Sequence, residues 1–252
     1  MEGTKIFYKK MRFRAPILIV GLPGMGNVGD LVAKHLRTEL KAKKFATLYS
    51  AHFPFQVLMF KDGKFRMVSN RFYYYADPKG KHDIILLLGD TQPGDSVGQY
   101  AVNERIVEFF KMLGGKTVYT IGGYSLGNQY VKEPRVFGVG TDERMRDYLK
   151  KQGVVLPLAD LTPIFGSAGM VVAFSKRHGL AGACIMGETG MVEVDANSAK
   201  AVLQVLSRML GIKVNLGSIE KIKANTEKLL KDMEESAKSA QQQDMKPQSY
   251  IR

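Results

Sequence analysis

The chain has 252 residues, a formal net charge of +13, 45% hydrophobic and 24% charged residues, and one cysteine. That length suits one α/β domain with an appendage or two small domains, and it buries a core without staples. The single cysteine excludes an internal disulfide framework and a cysteine-based metal cluster. The apolar runs fall far short of the roughly 18 residues of a membrane span, and the basic N-terminus lacks a signal-peptide pattern, so a cytoplasmic protein is expected.

Residues 1–14 alternate charged and apolar types, as a solvent-edged strand or hairpin does. The apolar run 16–20 then ends in Gly21-Leu22-Pro23-Gly24-Met25-Gly26-Asn27-Val28-Gly29, which predicts a buried strand, a glycine-rich turn and a helix start. Leu31, Val32, His35, Leu36 and Leu40 follow at helical spacing, and residues 45–50 form the next predicted strand. Residues 56–60 and 65–68 flank Lys61-Asp62-Gly63-Lys64, a hairpin signature that predicts an antiparallel part of the sheet. Tyr73-Tyr74-Tyr75 reads as a half-buried sheet edge.

Residues 83–89 form an apolar run of strand length. Ser96 is placed to cap a helix to Leu113, and residues 117–121 make another strand ending in glycines. Thr141 is placed to cap a third helix. Residues 169–176 are predicted helical and 180–186 a strand. Asp195 or Asn197 opens a helix to Leu210. The recurring strand, glycine turn and helix argue for an α/β fold, a mostly parallel mixed sheet with helices on both faces. Beyond it, Ile219, Ile222, Thr226, Leu229 and Met233 repeat at spacings of 3 and 4, the seam of a packing or oligomer-forming helix. The expected division is a core over 1–214, a C-terminal helix over 215–236 and a flexible tail over 237–252.

Residues 1–44 hold ten Lys/Arg against three Asp/Glu, so more than half of the net charge sits there. Such a surface attracts acidic partners, but no nucleic-acid motif accompanies it, and neither nucleic acid nor a membrane is expected as a partner. Gly24-Met25-Gly26-Asn27-Val28-Gly29 matches G-x-G-x-x-G between a strand and a helix, which makes Gly24, Gly26, Asn27 and Gly29 a candidate ligand loop. The acidic residue expected about 20 residues on is missing, so a tight structural turn is the plainer reading. Gly123-Tyr124-Ser125-Leu126-Gly127 matches the nucleophile elbow G-x-S-x-G, with Asp160 and His178 following in order, yet no helix pattern follows the serine. The four histidines are scattered and no metal site is expected.

The loop 21–29 after the 17–20 strand resembles the first-turn signature of the proteasome assembly chaperone 2 family. The similarity continues in collinear order through Leu88-Gly89-Asp90, Ile121-Gly122-Gly123, Pro134-Arg135-Val136-Phe137-Gly138, Gly166-Ser167-Ala168-Gly169, Leu180-Ala181-Gly182 and the helix 195–211, roughly residues 14–214 in all. The resemblance implies a fold related to nucleoside phosphorylases without an established catalytic site; no catalytic residue and no cofactor are expected. It also implies a homo-oligomer and, in archaeal-type members, contact with the α subunits of the proteasome core particle or with a related chaperone. The implied function is that of a non-enzymatic assembly chaperone, or an ATP-independent activator or adaptor. In proteasome activators a hydrophobic-Tyr-any tripeptide ends the chain. Here Tyr250, Ile251 and Arg252 are the candidate contact groups, with Tyr250 third from last rather than second. The alternative is a nucleotide- or nucleoside-binding or hydrolytic enzyme using the loops 21–29 and 122–127.

Overall fold

A computed structural model describes residues 3–222 and 224, apart from 79–80, 126, 128–130, 158–159, 191–192 and 218. In chain order the elements are β1 (Thr4–Tyr8), β2 (Ile17–Gly21), α1 (Val28–Glu39), β3 (Lys43–Ser50), β4 (Val57–Met59), β5 (Phe65–Met67), β6 (Asn70–Tyr75) and β7 (Ile84–Gly89). They continue with α2 (Ser96–Met112), β8 (Thr117–Ser125), β9 (Val136–Gly140), α3 (Glu143–Lys151), α4 (Ser167–Arg177), β10 (Ala181–Thr189) and α5 (Ala196–Leu210).

Eight strands form one sheet in the order β1-β3-β6-β7-β2-β8-β10-β9, and β4-β5 form a separate two-stranded ribbon. The middle four strands, β7, β2, β8 and β10, are mutually parallel. Antiparallel β1, β3 and β6 flank them on one side and antiparallel β9 on the other. The Lys61–Lys64 hairpin predicted from sequence therefore exists, but its two strands stand outside the main sheet. The antiparallel pairs of that sheet come from elsewhere in the chain.

The parallel strands read as continuous apolar runs because both of their faces are covered. Ile84, Leu86 and Leu88 join a core with α1, α3 and α5. Ile85 and Leu87 join a second core on the opposite face with α2 and α4. The helices thus lie on both faces, and among the described residues none is long and apolar enough to cross a membrane. The β1-β3-β6 flank is different. Phe45, Leu48 and Phe72 are buried on the α2 side, whereas the α1 side of these strands carries Thr47, Tyr49, Arg71 and Tyr73, all only half-buried. Tyr73–Tyr75 are accordingly half-buried, yet β6 is an interior strand between β3 and β7. Tyr74 packs on the α2 side against Phe13 and Phe45. Tyr73 and Tyr75 border the α1-side core, with the Arg37 guanidinium of α1 5.5 Å from the Tyr73 ring, so they are half-covered without standing on a sheet edge.

Two helix starts differ by one residue from the sequence reading. Asp95 rather than Ser96 caps α2, its Oδ1 accepting from the Gly98 N–H at 2.7 Å. Asp142 rather than Thr141 caps α3, accepting from the Met145 N–H at 2.8 Å. In each case a carboxylate on the adjacent residue, before Ser96 and after Thr141, reaches the orphan N–H groups that a hydroxyl would otherwise serve. Asp195 caps α5 as expected, accepting from the Ser198 N–H at 2.9 Å.

Candidate functional site

The carboxyl ends of β2, β7, β8 and β10 meet at one end of the sheet, where an α/β fold binds ligands if it binds them. Both glycine motifs lie there. At the first, α1 crosses β2 so closely that a Cβ on Gly21 would stand 2.2 Å from the Gly29 carbonyl oxygen and 2.5 Å from the Ala33 Cβ. Gly26 has φ +58°, and a Cβ there would strike the Thr189 Oγ1 at 2.6 Å. The motif is thus explained by packing at Gly21 and Gly29 and by a left-handed turn at Gly26.

Groups of this loop are tied within the protein, the Asn27 N–H among them, which donates to the Gly24 carbonyl at 2.9 Å. The Asp195 N–H donates to the Gly26 carbonyl at 2.8 Å, and the Asn27 Nδ2 donates to the Glu193 carbonyl at 3.0 Å. The Asp195 carboxylate is fully buried beside the loop and also accepts from the Thr189 hydroxyl at 2.7 Å. The Asp195 side chain lies directly against the turn, since a Cβ on Gly26 would come within 3.2 Å of the Asp195 Cβ.

Beside this loop is a cavity of about 460 Å³, lined among others by Leu22, Met25, Gln92, Tyr124, Ile164 and Met186. None of its lining residues carries a charge. Its most prominent polar side chain, Gln92, donates through Nε2 to the Pro23 carbonyl at 2.6 Å and accepts through Oε1 from the Ser167 N–H at 2.7 Å. That amide staples the 21–29 loop to the N-terminus of α4. The cavity has room for an apolar group and offers no ion to a nucleotide.

The hydrolase pattern at 123–127 comes apart. Ser125 ends β8, and its hydroxyl contacts Gly127 at 3.2 Å. His178 lies at the far end of α4, roughly 16 Å along that helix from Ser167, and its Nε2 is 3.4 Å from the Glu104 Oε1. Asp160 is an exposed turn residue; Leu126 lies outside the described residues. Cys184 is fully buried, and burial pushes its thiol up to about 11, out of nucleophile range. The Pro134–Gly138 motif is structural too. The Arg135 guanidinium forks onto Glu188 at the end of β10, with contacts of 3.0 and 2.9 Å.

Two further features were not singled out from sequence. Arg37 of α1 gathers with Lys44, Arg66, Arg71, Tyr49 and Tyr73 in an open groove where the β3–β6 flank passes the edge of α1, which gives part of the N-terminal positive charge a common location. At its top, Asp90 joins three elements. It accepts from Arg66 at 2.8 Å, Arg71 at 2.7 Å and the Ser69 N–H at 3.0 Å. Burial alone raises this carboxyl, but the bonds from Arg66, Ser69 and Arg71 more than offset that and hold it down at about 2. A lone Asp after a strand carries no signal that two arginines from other strands converge on it.

Of the helix seam, Ile219 is buried against the α1–α5 core and Ile222 packs beside it. Lys200 on α5 also reaches Glu220 at 2.7 Å. Leu229, Met233, Tyr250, Ile251 and Arg252 lie outside the described residues.

A family model described as the PAC2 family matches residues 18–237. The chain belongs to the PAC2 family. An uncharacterised protein of Methanocaldococcus jannaschii is 36% identical over 96% of this chain and 95% of its own length. Among solved structures, the chain is similar to Pyrococcus furiosus PbaB, an archaeal proteasome activator. The identity is 36% and the TM-score 0.87, covering 93% of this chain and 100% of that one. It is also similar to Pyrococcus furiosus PbaA, an archaeal homologue of proteasome-assembly chaperone, at 25% identity and TM-score 0.77 over 96% of each chain. The collinear glycine motifs are thus PAC2 motifs, and in this member they serve helix–strand contact and loop closure.

Proposed function

We propose that this PAC2 protein is a non-enzymatic proteasome assembly chaperone or activator, acting as a homo-oligomer on the α subunits of a proteasome core particle. The observation that carries the reading is the likeness to PbaB at 36% identity over nearly the whole of both chains. The site geometry supports it. The loops that would make an enzyme of this fold are closed by the protein's own groups, Asp195 and Gln92, and the adjoining cavity carries no charged residue.

In this reading residues 1–214 are the scaffold, 215–236 a helix that begins by packing on it, and 237–252 a tail. Tyr250, Ile251 and the carboxylate of Arg252 are the groups that touch the partner. Several tails on one assembly gain avidity from effective concentration, so each need bind only weakly. Native mass spectrometry with archaeal core particles tests this, using the full chain and a chain lacking residues 237–252. The full chain should bind the core particle and the shortened chain should not, while both keep the same oligomeric mass. Binding that survives the deletion removes the tail from the reading. Failure of the full chain to bind overturns it.

A further inference from the structure

The β4–β5 ribbon pairs Val57 with Met67, Leu58 with Arg66 and Met59 with Phe65. Residues opposite each other share a face and neighbours along a strand alternate, so the ribbon has two unlike sides. The inner side carries Leu58, which packs into the α2-side core, and Arg66, which is bound to Asp90. The outer side is Val57, Met59, Phe65 and Met67. All four are apolar and all are exposed, Met59 at 81% and Phe65 at 73%. Phe55, fully exposed, extends the patch at one end, while Phe60 alternates to the inner side, where the Arg66 guanidinium lies 5.8 Å from its ring. This inverts the usual pattern, in which the charged residue faces water and the apolar ones face the protein.

The inverted ribbon is held in place. Arg66, Arg71 and the Ser69 N–H all bind Asp90 at the end of β7. Asp62-Gly63 closes the turn with Gly63 at φ +80°. Two strands alone are marginal in water without a further layer. Large side chains present roughly 150–250 Å² each. At their exposures Phe55, Val57, Met59, Phe65 and Met67 together present on the order of 700 Å², above the roughly 300–600 Å² of the largest patch on a typical monomer. That is close to the roughly 800 Å² that each partner contributes to a standard interface.

We infer that the outer face of the β4–β5 ribbon is a contact between copies of this chain, seated against the same face of a second copy. The proposal rests on the oligomeric part of the functional reading and supplies its surface. The face holds no charge that a charged partner would pair with. A two-fold copy of a flat apolar ribbon matches it in area and chemistry, as an isologous contact requires. The helix seam expected to build the oligomer does not compete for this role, because its described members Ile219 and Ile222 pack inside the protomer.

The test is the native mass of the full chain and of the double variant Met59→Lys, Phe65→Glu. The new side chains are opposite charges across the strand pair, so the ribbon keeps a favourable cross-strand contact while losing its apolar face. The wild type should be an oligomer, and the variant should fall to half its mass or less with an unchanged circular dichroism spectrum. A monomeric wild type overturns both this contact and the oligomeric part of the functional reading. A variant that keeps the wild-type mass overturns the contact alone, and if it also loses the core particle, the face belongs to the core particle instead. Met59→Cys provides a second measurement that does not depend on disrupting anything. Cys184, the other thiol, is buried, so a short bis-maleimide should join copies through position 59. Absence of cross-linked dimers in an assembled sample overturns the two-fold arrangement.

Discussion

Two regions at the same end of the sheet treat their surfaces in opposite ways. The glycine loop 21–29 carries the residues most suggestive of ligand binding, and its turn is closed from within by Asp195, Asn27 and Gln92. The β4–β5 ribbon has no motif of chemistry, yet it leaves five large apolar side chains open to water. A glycine motif can serve close packing as well as ligand approach, because both need the same absence of a Cβ. An apolar face on a ribbon anchored by its own ion pairs has no such internal use. In this protein the unsatisfied surface is a better guide to interaction than the recognisable motif.

The contrast is broken most severely at its closed end. Gly21→Ala places a methyl 2.2 Å from the Gly29 carbonyl oxygen, a backbone atom that cannot swing aside, and 2.5 Å from the Ala33 Cβ. The expected loss is about 3 kcal/mol or failure to fold, read by denaturant unfolding. A fully tolerated alanine would mean that the helix–strand crossing is looser than described. Asp195→Ala strips the cap from α5 and leaves the buried Thr189 hydroxyl only the longer bond to the Gly190 carbonyl at 3.2 Å. It should cost about 2 kcal/mol in the same measurement.

The ribbon's anchor gives a pH-dependent test. The Asp90 carboxyl is depressed from 3.8 to about 2. Its contribution is therefore fully present above the unfolded value and lost as pH falls through about 2. Asp90→Asn should lower stability by about 1.5 kcal/mol at neutral pH. It should also flatten the decline in stability between roughly pH 4 and 2. A variant with the same acid slope as wild type would remove Asp90 as the anchor. The smallest effect belongs to the open face. Measured at a dilution where the protein is monomeric, Met59→Lys with Phe65→Glu should change unfolding free energy by no more than about 0.5 kcal/mol, because those side chains contact little within the protomer.

Much of the scaffold was legible because its signals are local. The apolar runs at 17–20 and 84–88, the stripe of the last helix and its Asp195 cap each depend on neighbours in sequence. The Asp62-Gly63 turn was equally plain. What that turn's strands pair with was not, since strand order is a long-range choice. The same applies to Tyr73–Tyr75, whose alternation predicts a strand but not its place between β3 and β7.

The sequence by itself determined the α/β class, the strands and helices, the turn chemistry and the collinear PAC2 motifs. All of these follow from periodicity and from residues that tolerate only certain backbone conformations. Only the tertiary structure decided which part of the sheet the helices leave half-covered and that the glycine loop is filled from residues 193 and 195. It alone brought Arg66, Arg71 and Asp90 together and turned the apolar side of the ribbon outward. Those outcomes are set by packing between segments far apart in the chain, where burial and charge neutralisation depend on partners that no local pattern names.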